Sequence, residues 1–142
     1  MMNSTAMAPA PVISLSTVPG KLHFSGGIAP FLEARTYRLF VEADAPPFLR
    51  MECVDKDLAF VLVDPFAVIP DYRPAVCEKD VAELGLGPSD KPLILAIVNL
   101  SRGVRHATVN VAGPLLINVA NGRSKQVVLD NAAQYSVRHP LA

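Results

Sequence analysis

Residues 58–72, LAFVLVDPFAVIPDY, restrict the fold of this chain more than any other segment. Six apolar residues in a row (58–63) meet Asp64-Pro65. Four more (66–69) then run into Pro70-Asp71-Tyr72. A strand with one face in water alternates with polar residues, so an unbroken apolar run of this length predicts a strand covered on both faces. The two X-Pro steps push the backbone beside residues 66–69 into extended or turn conformations. The expectation is a stiff apolar loop shouldered by two acids, Asp64 and Asp71. It holds no nucleophile, no base and no metal-ligand spacing, which fits gripping a partner better than catalysis.

The rest of the chain reads as short strands cut by turns. Pro19-Gly20 separates strand-like residues 12–18 from 21–25, and a Gly/Pro loop leads to 37–42. Residues 48–54 alternate, with Leu49, Met51 and Cys53 on one face and Arg50 and Glu52 on the other. Asp55-Lys56-Asp57 turns the chain into the apolar run. Residues 78–86 are the one helix candidate: acids in the first turn, Val81 and Leu84 three apart, and Gly85 or Gly87 as the stop. Residues 93–98 are a second wholly apolar strand, and 108–111 alternate. Residues 115–120 and 125–129 are joined around Asn121-Gly122, a strong hairpin signal. Many short strands, one short helix and a proline at nearly every junction predict an all-β fold, a small antiparallel β-barrel-like domain whose closure removes exposed sheet edges.

Composition narrows the function classes. One domain suits 142 residues, with 1–11 expected as a flexible N-terminal tail and 12–142 as the barrel domain. Thirteen basic and thirteen acidic residues cancel, and no Lys/Arg-rich run occurs, so direct nucleic-acid binding is disfavoured. No apolar stretch approaches the roughly 18 residues of a membrane span. The N-terminus lacks the pattern of a secretory signal, and Cys53 and Cys77 read as reduced thiols, so the expectation is a cytoplasmic protein.

Chemistry finds little support. His23, His106 and His139 are scattered, with no neighbouring Cys or acid at metal spacing, so neither a metal nor a cofactor is expected. Asp55, Asp57, Asp64 and Asp71 sit where Asp belongs in turns or before proline. A carboxylate pair made by Asp64 and Asp71 in a small-ligand-binding or enzymatic barrel is the competing reading, and a deep polar pocket between them would mark it. Phe66, Val68 and Ile69 suit core positions. Tyr72, with its hydroxyl just after Pro70-Asp71, suits a partly exposed interface anchor.

These segments carry a resemblance. FSGGIAPF (24–31), CVDKDLAFVLVDPFAVIPDY (53–72), ELGL (83–86), LAIVNL (95–100), TVNVAGPLLIN (108–118), KQVVL (125–129) and YSVRHPL (135–141) together resemble the flagellar assembly factor FliW family, in order and spacing. The resemblance implies a β-barrel-like regulator without enzymatic activity. It implies two alternative partners, the translational repressor CsrA and flagellin. Flagellin in the cytosol would occupy the protein, and its export would free the protein to bind CsrA away from the RNA-binding surface. Asp55, Asp57, Asp64, Phe66, Asp71 and Tyr72 are the expected partner-binding residues, the first two in a turn taken to adjoin the others.

Overall fold

The computed structural model describes residues 4–6, 20–41 and 48–141. In chain order its elements are β1 (Ser4–Ala6), β2 (Leu22–Phe24), β3 (Thr36–Val41), β4 (Leu49–Cys53), β5 (Ala59–Val63), α1 (Pro65–Val68), β6 (Ala75–Cys77), α2 (Glu78–Glu83), β7 (Leu93–Asn99), β8 (Thr108–Val109), β9 (Leu115–Ile117), β10 (Arg123–Gln126) and β11 (His139–Pro140).

Seven strands close a barrel in the order β7-β5-β4-β3-β2-β10-β9, with β9 returning to β7. All neighbours are antiparallel except β2 and β10, which run parallel with Arg123 opposite His23. β7 has β5 along one edge. On its other edge the first half pairs with β9, Leu93 opposite Ile117, and the second half with β8, Val98 opposite Val109. β11 extends β8, so these two strands form a flap off the ring. The expected all-β barrel is what the chain forms, with a second short helix added.

Two cores explain the apolar runs. Leu22, Phe24, Tyr37, Met51, Leu62, Leu95, Leu115 and Ile117 fill the barrel interior at 0–1% exposure, as alternate residues must when a small barrel closes. A second core lies against the outside of the wall, where Ile94, Ala96 and Val98 of β7 pack with Tyr72, Val76, Leu84 and Leu116. β7 is therefore apolar at nearly every position because both of its faces are buried. The same expectation holds only in part for residues 58–63. Leu62 and Val63 are buried, Phe60 and Val61 half-buried, and Ala59 exposed. The second core covers just the far end of β5.

The loop expected at 66–69 is a single helical turn as far as Val68, whereas Asp64 and Ile69, each before a proline, have the extended backbone expected on either side. Asp64, in extended backbone, accepts a hydrogen bond from the Phe66 amide at 2.9 Å and caps the single turn α1, with Pro65 in the first helical position. Proline is pre-set for that position because the amide it lacks would have no helical partner there. α2 ends at Glu83, and Gly85 at φ +72° lets the Leu86 amide fold back to the Val81 carbonyl. Lys125 on β10 ties this helix to the barrel through Asp80 at 2.6 Å and Glu83 at 2.7 Å. Asn118 and Asn121, from the β9–β10 hairpin, both donate to the Leu84 carbonyl at the helix end. Within the span expected as a tail, Ser4–Ala6 pairs antiparallel with β6. The strand expected at 12–18 lies outside the described residues.

Candidate functional site

The residues expected to contact partners divide between the two ends of β5. Asp64, Phe66, Asp71 and Tyr72 gather where β5 ends. Asp55 and Asp57 occupy the turn where it begins, so the two acid groups are not adjacent. From Asp57 to Asp64 the strand rise of about 3.3 Å per residue gives roughly 20 Å.

At the α1 end the geometry is a braced corner. Asp71 is exposed on the turn that follows α1, and Phe66 is half-buried over the second core. Tyr72 is not the exposed anchor expected. It is 2% exposed and its hydroxyl donates to the Val111 carbonyl at 2.6 Å. Its ring meets Phe66 at 5.3 Å and Tyr135 at 4.8 Å, both edge-on. Burial, with a smaller contribution from Tyr135, raises its phenol pKa well above the ordinary value. The Tyr135 hydroxyl in turn accepts from the Arg73 amide at 2.9 Å. Pro70 and the second hydrophobic layer explain the error. The turn after α1 points the ring inward, onto a wall that only tertiary structure supplies.

The competing reading of Asp64 and Asp71 as a carboxylate pair gains no support from this corner. One oxygen of Asp64 is committed to capping α1, and Asp71 stands on the open surface. The barrel interior that an internal ligand would need is filled by side chains.

At the opposite end a cleft of about 510 Å³ opens between the β2–β3 loop and the β4–β5 turn. Pro30, Phe31 and Leu32 form one wall, and Lys56, Asp57 and Leu58 the other. Phe31 and Leu32 are 45% and 56% exposed, although Phe31 stacks edge-on against Phe60 at 6.0 Å. Gly27 shapes the loop. At φ +69° it lies so close to Leu32 that an added Cβ would sit 2.4 Å from the Leu32 carbonyl oxygen. At the start of the β4–β5 turn the Cys53 thiol donates to Asp55 at 3.1 Å. The buried Tyr37 hydroxyl has no hydrogen-bond partner among the described residues. Burial pushes its pKa up to about 12, helped by Cys53 and Asp55 nearby. Phe31 and Leu32 are not among the expected contact residues, because residues 26–30 read as a Gly/Pro loop and as part of a resemblance rather than as a surface. Two large apolar residues directly after Gly-Gly and Pro were the available signal.

Cys53 and Cys77 are both buried, and no disulfide forms among the described residues. Among the described residues no group of three or more His, Cys, Asp or Glu side chains could hold a metal ion, and no helix is long and apolar enough to cross a membrane.

Comparison with known proteins places this architecture. The family described as FliW protein matches residues 11–141. The flagellar assembly factor FliW of Natranaerobius thermophilus is 32% identical over 83% of this chain and 79% of its own length. That of Desulfitobacterium hafniense strain Y51 is 30% identical over 84% of this chain and 79% of its own. A crystal structure of the flagellar assembly factor FliW superposes with a TM-score of 0.78 at 25% identity, covering 97% of both chains. The barrel with its outer hydrophobic layer and the matched sequence lead to one conclusion: the chain belongs to the FliW family, whose matched relatives are flagellar assembly factors.

Proposed function

We propose that this protein couples flagellin synthesis to flagellin export by binding two proteins in turn. It antagonises the translational repressor CsrA and alternatively binds flagellin, in the cytoplasm and without doing chemistry itself. Family membership across residues 11–141 is the observation that carries this reading. The packed barrel interior supports a protein that works through its surface. The contact residues in this reading are Asp55 and Asp57 in the β4–β5 turn, of which Asp57 lines the cleft, and Asp64, Phe66 and Asp71 at the α1 corner. Tyr72 holds the corner in shape from beneath. Because CsrA bound to this protein releases its mRNA, the coupling is reciprocal, and RNA weakens the protein–CsrA complex by the same factor.

The test titrates the full chain with purified CsrA and purified flagellin of the same organism, singly and in competition. Binding of each, with flagellin displacing CsrA, is the expected result, and binding of neither overturns the function. Asp57→Lys and Asp71→Lys probe the two ends separately. An affinity loss of about tenfold or more is expected from the variant at the contacting end. Full affinity in both variants, with folding intact, overturns the choice of contact residues and leaves the function standing.

A further inference from the structure

The turn after β7 and the β8–β11 flap enclose a cavity of about 240 Å³, lined by Asn99, Ser101, Arg102, His106, Thr108 and Arg138. Register brings these residues together. Asn99 lies opposite Thr108 across β7 and β8, and Pro140 faces Thr108 from the other side, which carries Arg138 alongside. The turn bearing Ser101 and Arg102 is closed by the Gly103 amide donating to the Leu100 carbonyl at 2.9 Å, with Gly103 at φ +86°.

Each of these side chains can donate a hydrogen bond, and none is a carboxylate. The Asn99 side-chain oxygen already accepts from the Ser101 amide at 2.9 Å, so the amide nitrogen is its remaining polar group. Among the described residues no ion pair engages Arg102 or Arg138. Residues 99–109 and 131–141 contain no Asp or Glu at all, whereas Arg102, Arg105 and Arg138 all fall within them. A chain with no net charge thus concentrates positive charge around one cavity.

Two guanidinium groups without carboxylate partners, ringed by hydroxyl and amide donors, match an oxyanion. A tetrahedral phosphate offers more acceptor oxygens than a carboxylate, and so uses more of these donors. The volume falls below the roughly 300 Å³ at which sites for drug-sized ligands begin, which suits one small charged group and water. We propose that this cavity binds a phosphoryl oxyanion between Arg102 and Arg138, either free phosphate or the phosphate of a small nucleotide.

The test is a titration of the ¹⁵N-labelled full chain, at low salt, with inorganic phosphate and separately with AMP. Saturable amide shifts confined to residues 99–108 and 136–139 are expected. Arg102→Ala and Arg138→Ala are each expected to weaken binding about tenfold or more, because a charge-assisted hydrogen bond is lost. Both positions are exposed, so the variants keep the wild-type fold, and Lys91→Ala serves as the control that leaves affinity unchanged. Equal affinity for the two probes identifies the free anion as the ligand, and tighter binding of AMP identifies a nucleotide. Shifts that never saturate or spread over the surface overturn the proposal. So does an Arg102→Ala/Arg138→Ala double variant that binds like the wild type.

Discussion

Tyr72 offers the sharpest test of how the α1 corner is built. Tyr72→Phe deletes only the hydroxyl that reaches the Val111 carbonyl at 2.6 Å, and keeps the ring against Phe66 and Tyr135. The carbonyl is left buried and without this donor, which costs about 1–3 kcal/mol. Tyr72→Ala removes the ring as well, and a large buried aromatic truncated to alanine costs about 3–5 kcal/mol. Equilibrium urea unfolding, followed by circular dichroism, measures both values. In a domain of 142 residues each kcal/mol moves the melting midpoint by about 3–5 °C. A graded loss, small for Phe and large for Ala, is the expected pattern. An exposed anchor would instead tolerate both changes within about 0.5 kcal/mol. That result would refute the buried placement of Tyr72, and with it the claim that Tyr72 shapes the corner from beneath.

Three other outcomes follow from the structure. Lys125→Met leaves Asp80, only 12% exposed at its side chain, without its cation; a cost of about 1–3 kcal/mol and faster amide exchange in α2 are expected, between the values for exposed and buried pairs. Gly27→Ala destabilises by more than about 2 kcal/mol through the positive φ and the close Leu32 backbone, while Gly26→Ala, with open space around it, stays near zero; urea midpoints distinguish them. Tyr37 and Tyr72 keep their protons past the ordinary tyrosine pKa, Tyr37 to about 12, chiefly because burial disfavours the phenolate. Their folded pKa values exceed the unfolded ones, so this contribution to stability is full below about pH 10 and is lost as pH rises toward 12. Absorbance at 295 nm together with urea midpoints follows it, and ionisation of both near pH 10 in the still-folded protein would contradict it.

The barrel was legible because its strands obey local rules. Leu49, Met51 and Cys53 alternate with Arg50 and Glu52, and the structure buries the first set inside. Gly85, one of the two glycines expected to end α2, does so, although the helix stops at Glu83 rather than 86, and Asn121-Gly122 marked the β9–β10 hairpin. Errors arose where a residue's neighbours are distant in sequence. Tyr72 is buried by Val111 and Tyr135, which no local pattern near Pro70 reveals. Ala59 is exposed although its run is apolar, because the covering layer stops short of it. α1 was hidden in Asp64-Pro65, a pair that breaks a strand and also starts a helix. The distance between the two acid groups depended on where β5 begins and ends, and the sequence put them only seven residues apart.

The parallel pairing of β2 with β10 has a consequence for synthesis. His23 finds its partner at Arg123, a hundred positions later, and only this contact and the β7–β9 seam complete the ring. The strands β2 to β5 can assemble as a local meander as they leave the ribosome. The barrel itself stays open until Arg123–Gln126 have been extruded, and long-range pairings of this kind slow folding because a large loop must close first. A half-made chain therefore leaves the β2 edge, which carries Leu22 and Phe24, without its β10 partner. The closed barrel surface exists only once Arg123–Gln126 have emerged and paired with both neighbours.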